Sequence, residues 1–381
     1  MVDKDEEAGA SSGRHRTCFG LVVRFPVLVS YLPTHSWAWF LMSMTTLGLS
    51  TLLYAQISLH NFHGLYTIGL VVYLIGAVQF FILVLAKTAH FLVFKGSLRK
   101  SFDSPDECLF SATFLISCFG MITGALDFAQ PKPGSRLSLC LLSLFWIYVP
   151  CALLASVGIY SRIFAKCHLE LNFYTPAWVL PTLPIVLTGV MAGSFGDRLH
   201  PEQLYPVIVA GLLFSSMGFL ISLHLASVYF IRLFSNDFPE PDKRPGMMIA
   251  VGPPTFAPLA YLKLVKELPA GYGFFAAHPT AIEVFQILSL SISIGIFGMG
   301  IFFFLLALRG ILPGAHKMSF DLTWYAFVFP NVGFFSAMGL IGAALPSQGV
   351  VWTATSGIIL LTAVWLFVSA SHIIANVKKS K

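Results

Sequence analysis

The amino-acid sequence predicts an all-α membrane protein that crosses the bilayer many times, and three observations carry this prediction. First, 56% of the 381 residues are hydrophobic and only 10% are charged, whereas about a quarter of the residues are charged in soluble globular domains. Second, the mean hydropathy is +0.80. Third, the apolar residues form stretches long enough to cross a hydrocarbon core of about 30 Å.

Ten stretches of the chain are apolar enough to be spans. In chain order they are 35–56, 65–93, 108–127, 137–163, 174–194, 203–233, 247–265, 280–310, 321–345 and 349–375. The third stretch ends at Asp127 and the seventh carries Pro253, Pro254 and Pro258, so a buried re-entrant segment is the alternative for either. Paired in order, the ten spans predict five tandem helical hairpins.

The tails and loops predict the orientation. Residues 1–32 form a predicted flexible cytosolic tail, 33–375 the ten-helix transmembrane domain and 376–381 a cytosolic C-terminal tail. Ten spans place both termini on one side, and 17 of the 23 lysines and arginines then fall on that side, against five on the other. Because basic residues concentrate in cytosolic loops, both termini are predicted to be cytosolic, and the net charge of +6 needs no nucleic-acid partner.

Helix-breaking residues concentrate in the odd-numbered spans. Examples are Pro181 and Pro184 in the fifth, Pro253 and Pro254 in the seventh, and Pro330 in the ninth. Lipid offers no hydrogen bonds to the backbone groups that a break frees, so broken helices face protein or a wet cavity. We therefore predict an inner ring of five odd-numbered helices around a central pore, with the even-numbered helices outside. The alternative is that Pro and Gly are simply frequent in membrane helices.

Three odd-numbered spans begin with a similar aromatic cluster, around Trp39, Trp178 and Trp324. The intervals of 139 and 146 residues each correspond to two hairpins, which predicts a repeating unit of roughly 70 residues. Trp also concentrates at membrane interfaces, and this is the alternative explanation.

Motifs for catalysis or cofactor binding do not occur in the sequence. There is no HExxH, Walker A or GxSxG motif, and the six cysteines lack metal-ligand spacing. Gly298 and Gly300 lie inside an apolar stretch, which favours helix packing over nucleotide binding. We predict that the protein is not an enzyme and needs no metal or cofactor.

Ionisable residues inside the predicted spans are sparse. Lys87, His90 and His372 lie near cytosolic ends, where their side chains are expected to reach the interface. His224 lies deeper and can donate to an anion, with a packing histidine as the alternative. A cation pathway usually needs carboxylates, whereas an anion can be stabilised by the N-termini of broken helices and a few basic residues. The sequence therefore predicts an anion pathway.

The candidate site residues follow from that prediction. Candidate pore residues are Trp39, Ser43, Thr113, Thr188, Thr255, Asn331, Ser336 and His224. Candidate basic residues at the mouths are Lys243 and Arg244 on the cytosolic side and Lys263 on the other side, where they would concentrate anions. The alternatives are hydroxyls that bond their own helix backbone or a neighbouring helix and basic residues that anchor the helices at the interface.

Several motifs resemble those of the tellurite-resistance/dicarboxylate transporter family. They are RPGM at 244–247, VGPP at 251–254, PAWVLP at 176–181 and WYAFVFP at 324–330. The resemblance extends over nearly all the spans and is strongest to the fungal malic acid permease branch. That branch is matched by THSWAWF at 34–40, NFHGLYTIG at 61–69 and KMSFDLTW at 317–324.

The resemblance implies ten helices in five hairpins around a quasi-fivefold pore, assembled as a homotrimer. Related slow-type anion channels close the pore with a phenylalanine on the ninth helix, which matches Phe329 here, with Phe327 as second choice. The expected function is plasma-membrane transport of C4-dicarboxylates, malate and possibly succinate, with the proton carried on the monoanion. The alternatives are a gated channel for small anions such as chloride, or a sulfite efflux pump.

Overall fold

The computed structural model describes residues 36–166 and 174–379, and these residues form helices and no strand. The predicted cytosolic tail 1–32 lies outside the described residues. The predicted C-terminal tail 376–381 is described as far as residue 379, and there the last helix continues into it.

Ten principal helices follow one another along the described chain. They are α1 Phe40–Gln56, α2 Leu65–Val93, α3 Ala112–Ala129, α4 Arg136–Lys166, α5 Leu183–Ala192, α6 Pro201–Ser235, α7 Pro253–Lys266, α8 Thr280–Ile311, α9 Phe329–Ala344 and α10 Gln348–Lys379. Short helices at Ser97–Ser101 and Pro105–Phe110 precede α3, and another at Gly273–Ala277 precedes α8.

Nine helical segments within the described residues are long and apolar enough to cross a membrane. The two stretches for which a re-entrant path was the alternative both reach span length, at Pro105–Ala129 and Pro241–Lys266. The predicted span 174–194 corresponds to a shorter apolar segment, Pro176–Ala192. The chain is therefore an all-α polytopic membrane protein, and the count of ten spans stays a prediction.

The predicted breaks lie where a 3₁₀-helix changes into an α-helix. The 3₁₀ segments Pro176–Thr182, Pro241–Val251 and Leu322–Phe327 lead into α5, α7 and α9. Pro184, Pro253, Pro254 and Pro330 occupy the first turns of these α-helices, and Pro181 lies inside the first 3₁₀ segment. Proline lacks a backbone N–H, and a first helical turn needs none for intrahelical bonding. The prolines thus set the depth at which each α-helix begins.

Burial separates the odd-numbered segments from the even-numbered ones. In their most apolar windows, 61–83% of the residues of the four long odd-numbered segments are buried, against 22–44% in the even-numbered segments. Every residue of Pro176–Thr182 and of α5 is also buried. The outer faces of the even-numbered helices expose large apolar side chains such as Leu85, Phe164 and Ile359, which suits contact with acyl chains.

Contacts between the helices follow their order along the chain. Each odd-numbered helix contacts the even-numbered helix that follows it, and α1, α3, α5, α7 and α9 contact one another in a closed cycle. Close approach depends on small residues: a Cβ on Gly218 of α6 would lie 2.8 Å from the Val186 nitrogen of α5, and one on Gly120 of α3 would lie 2.7 Å from the Leu47 Cβ of α1. The quasi-fivefold symmetry itself stays a prediction.

Candidate functional site: a charged cavity lined by Phe329

A cavity of about 220 Å³ lies among the odd-numbered helices. Each of the five contributes to its lining, with Gly48 from α1, Asp127 from α3, Val190 from α5, Lys263 from α7 and Phe329 from α9. Pockets for drug-sized ligands usually have roughly 300–1,000 Å³, so this cavity suits a smaller solute. It lies towards the C-terminal ends of these helices, which the loop charges predict to be the outer face.

The cavity reaches from that face to about the middle of the membrane. Its lining on α1 runs from Gly48 to Gln56, which corresponds to about 12 Å of helix at 1.5 Å per residue. Phe329 lies at the inner end with only 1% of its surface exposed. Its ring packs 5.1 Å from that of Phe256 and against Gly48, where a Cβ would lie 3.0 Å from the Phe329 Cδ2. The Phe329 ring therefore packs between α1 and α7 at the inner end of the cavity.

Five acidic or basic side chains line the outer part of the cavity: Asp127, Arg198, Lys263, Lys266 and Glu267. Three are cations and two are acids, so with all five ionised they carry one net positive charge. The Lys263 Nζ donates to the Ser194 Oγ at 2.6 Å, and the Arg198 Nη1 donates to the Ser194 carbonyl oxygen at 2.8 Å. Ser194 thereby holds both cations at the cavity, where their field favours a small anion.

Glu267 lies just beyond the C-terminal end of α7, where the chain leaves the membrane. Burial raises the pKa of its carboxyl above the usual range, and the neighbouring Asp197 adds to this rise. Arg198, Lys263 and Lys266 act in the opposite direction. The Glu267 carboxylate is therefore less stable here than in water, and the nearby cations partly compensate.

Three of the sequence-predicted site residues line this cavity: Phe329, Ser336 and Lys263. Thr255 and Asn331 are buried close to Phe329, one on the neighbouring α7 and the other on α9 itself. The Thr255 Oγ1 donates to the Val251 carbonyl oxygen at 2.8 Å, and the Asn331 Nδ2 donates to the Phe327 carbonyl oxygen at 2.8 Å. Both side chains therefore satisfy backbone acceptors freed at the 3₁₀-to-α junctions.

The other predicted pore hydroxyls serve helix packing. The Ser43 Oγ donates to the Gly76 carbonyl oxygen at 3.3 Å, and the Thr113 Oγ1 to that of Trp37 at 3.0 Å. The Thr188 Oγ1 donates to the Pro184 carbonyl oxygen of its own helix at 3.2 Å. None of the three lines the cavity, which agrees with the alternative that such hydroxyls bond backbone.

Trp39, Phe327 and His224 also lie away from the cavity lining. His224 is exposed on the outer helix α6, with its Nδ1 2.8 Å from the Leu220 carbonyl oxygen. The Trp39 ring lies 5.3 Å from that of His372. The Phe327 ring lies 6.1 Å from that of Trp324, on the 3₁₀ segment before α9, so Phe329 rather than Phe327 meets the cavity.

The two basic candidates of the predicted cytosolic mouth differ in their surroundings. The Lys243 side chain is 68% exposed and forms an ion pair with Glu240 at 3.1 Å. Arg244 donates from Nε to the Pro239 carbonyl oxygen at 2.8 Å and from Nη1 to that of Gly310 at 2.9 Å. Arg244 thus ties the 3₁₀ segment before α7 to the end of α8, while Lys243 remains open to solvent.

Lys87 does not extend to the interface, contrary to the sequence interpretation. It is 3% exposed, and its Nζ lies 4.5 Å from the centroid of the Trp37 ring. Glu107 lies close enough to interact with this ammonium group, and its carboxylate also accepts from the Trp37 backbone N–H at 3.1 Å and from the Ser36 hydroxyl. A cation over an aromatic face near a carboxylate replaces the expected contact with water.

Sequence reasoning missed Asp127, Arg198, Lys266 and Glu267, together with the Ser194 that positions the basic side chains. Each stands at or just after the end of an odd-numbered span, and all these ends share one predicted face. This common position was the signal in the sequence that could have indicated a shared site. A charged residue at the end of a span, however, ordinarily lies at the membrane interface. Only the packing of α3, α5 and α7 brings the four charges into one cavity.

The fold and the cavity define a polytopic membrane protein whose inner helices enclose a small anion-attracting cavity. The chain belongs to the voltage-dependent anion channel family SLAC1, whose match covers residues 34–373. This confirms the family that the motifs indicated, and the family consists of transporters and channels.

Known relatives agree with this assignment. A putative malic acid transport protein of Schizosaccharomyces pombe is 28% identical over 93% of this chain and 83% of its own length. The malic acid transport protein of the same organism is 29% identical over 82% of this chain and 72% of its own. A sulfite efflux pump of Arthroderma benhamiae is 21% identical over 87% of this chain and 88% of its own.

Proposed function

We propose that this protein carries C4-dicarboxylates, malate and also succinate, across the plasma membrane. The proposed mode is uptake of the singly charged acid, which brings one proton with it. The observation that carries the proposal is the cavity between the odd-numbered helices, with its net positive lining and its inner end at Phe329.

The chemistry of the lining favours a carboxylate solute. Lys263 and Arg198 offer cationic donors for a charge-assisted hydrogen bond, and their carbon stems and Phe256 leave the cavity partly apolar. A C4 chain with a carboxyl group at each end matches that mixture. Phe329 is the proposed gate, because a phenyl ring in a narrow path blocks a hydrated anion until the ring moves away.

The comparisons support an organic acid over sulfite. The two relatives named for malic acid are 28% and 29% identical to this chain, whereas the relatives named as sulfite efflux pumps are 21–22% identical. Similarity at this level favours a substrate class and leaves the particular acid to experiment.

The second candidate function is a gated channel for small inorganic anions, or sulfite efflux. It is favoured by the single bulky side chain at the inner end of the cavity, since moving one ring suffices to open a path for any small anion. A carrier and a channel differ in saturation: carrier flux reaches a maximum with substrate concentration, while channel current continues to rise.

A flux panel in proteoliposomes tests the proposal. Uptake of labelled malate, succinate, sulfite and chloride is measured with and without an inward proton gradient. The expected result is saturable malate and succinate uptake that increases with the gradient. Large non-saturating chloride currents support the channel instead, and sulfite flux without malate flux supports the efflux pump. Malate flux that follows the dianion concentration contradicts uptake of the monoanion.

Orientation and assembly complete the proposal. Both termini lie in the cytosol, so the charged cavity opens to the cell exterior, and protease protection of tagged termini in intact cells tests this. The homotrimer that the family resemblance implies is tested by the mass of the purified protein in detergent. The exposed apolar faces of the even-numbered helices offer surface for contact with lipid or with such neighbours.

A further inference from the structure

The outer part of the cavity holds an acid where an anion pathway would be expected to avoid one. Asp127 ends α3, is only 6% exposed and lines the cavity together with Lys263 and Arg198. A carboxylate in this position repels a passing anion, so on charge alone a neutral residue would favour anion flux. Its presence needs a physical reason.

We propose that Asp127, assisted by Glu267, is a charge filter that makes the cavity accept a dicarboxylic acid with one negative charge rather than two. The inference rests on the proposed function and names the charge state that the site selects. Two acids and three cations leave one net positive charge in the lining. A bound monoanion neutralises this charge, whereas a dianion leaves an uncompensated negative charge in a partly buried site.

The geometry gives each end of the solute a different partner. The carboxylate end suits the Lys263 Nζ and the Arg198 guanidinium, which Ser194 holds side by side. The protonated end carries an O–H donor, and a carboxylate is the strongest acceptor for it. Among the described residues, neither Lys263 nor Arg198 forms an ion pair with Asp127 within 4 Å. The Asp127 carboxylate thus shares the cavity with the cations without being paired to them.

Other titratable groups surround Asp127, and the test must separate the effect of the Asp127 charge from the effects of theirs. Those that line the cavity or interact with its charge are Tyr54, Tyr73, Arg198, Lys263, Lys266 and Glu267. A comparison of two pH values would titrate several of them at once. Two solutes compared at one pH avoid this.

The experiment measures, in proteoliposomes at pH 7, uptake of malate and of the monoamide of malic acid. Malate is doubly charged at this pH because ordinary carboxyl groups have a pKa of about 4. The monoamide is singly charged at pH 7, and its amide N–H replaces the acid proton as donor. The ratio of monoamide to malate uptake in one vesicle preparation does not depend on the amount of folded protein.

The expected wild-type ratio is well above one. Asp127→Asn lowers it about tenfold, the factor expected when one negative charge is removed near the second carboxylate in a partly wet site. The double variant Asp127→Asn, Lys263→Gln restores one net positive charge, and we expect it to recover most of the wild-type ratio. The matched control is Glu202→Gln, because Glu202 is exposed in the first turn of α6 and lies outside the cavity lining.

Three outcomes decide the inference. An unchanged ratio in Asp127→Asn, with malate still transported, overturns the charge filter and leaves the proposed function intact. Wild-type vesicles that move neither solute contradict the proposed function itself and the inference with it. If Asp127→Asn moves neither solute, Glu267→Gln removes the other cavity acid, and an unchanged ratio in that variant overturns the inference.

Discussion

Replacement of Phe329 by Ala tests the proposed gate most directly. The substitution removes the ring that blocks the inner end of the cavity. The ring is buried and pairs with Phe256 at 5.1 Å, and such an aromatic pair stabilises by about 0.5–1.5 kcal/mol. Burial of a phenylalanine side chain contributes about 1.5–3 kcal/mol more. Moving the intact ring out of the path therefore costs about 2–4.5 kcal/mol.

That cost sets the expected size of the effect. A free-energy difference of about 1.4 kcal/mol corresponds to a factor of ten, so a cost of about 2 kcal/mol keeps the population with an open path roughly 30-fold below the closed one. We therefore expect Phe329→Ala to raise anion flux by about 30-fold. Truncation of a phenylalanine in a dry core costs about 3–5 kcal/mol of stability. Here the vacated space joins a cavity that water can fill, so we expect a smaller loss of stability, about 1–2 kcal/mol.

The assay combines flux in proteoliposomes with thermal unfolding of the same purified variants. Phe327→Ala is the matched control, because Phe327 lies two residues earlier and does not line the cavity. Gly48→Ala supplies a second test: its Cβ would lie 3.0 Å from the Phe329 Cδ2, which crowds the closed ring and is expected to raise flux by a smaller factor. Unchanged flux in folded Phe329→Ala refutes the gate, and an equal increase in Phe327→Ala refutes the assignment to Phe329.

Three further predictions follow from the charged groups. Lys263→Gln is expected to lower malate uptake about threefold to tenfold at low salt and less at high salt, because a cavity cation is lost. Arg244→Ala is expected to lower the free energy of unfolding by about 2–3 kcal/mol, because the Pro239 and Gly310 carbonyl oxygens lose a charged donor. Glu267→Gln is expected to raise stability at pH 7 but not at pH 4, because burial raises the pKa of this carboxyl from the ordinary 4.5.

The sign of the Glu267 effect follows from proton linkage. A folded-state pKa above the unfolded one makes the folded chain bind the proton more tightly. Stability contributed by the protonated acid is therefore lost as the pH rises from 4.5 through the folded pKa. Thermal unfolding of wild type and Glu267→Gln at pH 4 and pH 7 measures this. A difference in stability that is equal at both pH values contradicts the raised pKa.

The other two predictions have their own controls. Lys243→Gln matches Lys263→Gln in chemistry, but Lys243 is 68% exposed and paired with Glu240, so its effect on uptake should be small. A larger effect of Lys243→Gln places the functional cations at the opposite face. Arg244→Lys keeps the charge but not the two-donor geometry and should recover stability only in part. Normal stability of Arg244→Ala shows that the two carbonyl oxygens find other partners.

The placement of the helices could be predicted because it depends on local pattern. An apolar stretch of span length has to become a helix in lipid, so the predicted 65–93 coincides with α2, Leu65–Val93. Prolines in the odd-numbered spans indicated correctly which helices would be buried. The motif around Pro330 indicated Phe329, and this residue does meet the cavity.

The polar residues of the site were harder to predict, because a hydroxyl in a membrane helix has its own backbone as a nearby partner. Ser43, Thr113 and Thr188 bond carbonyl oxygens instead of facing the cavity. The position of Asp127 at the end of a span indicated an interfacial residue, yet only 6% of its surface is exposed. Neither outcome can be inferred from one helix considered alone.

The sequence by itself determined that this chain is a helical membrane protein, which stretches form its long apolar helices, and which of these stretches are broken. These properties follow from the free energy of placing apolar side chains and backbone groups in lipid, which depends on each segment's own residues. The tertiary structure decided which breaks and charges meet. Because α3, α5 and α7 converge at one face, Asp127, Arg198, Lys263 and Glu267 share a cavity although up to 140 positions separate them in the chain. Phe329 lines that cavity for the same reason, since packing against Gly48 and Phe256 gives its ring a fixed place.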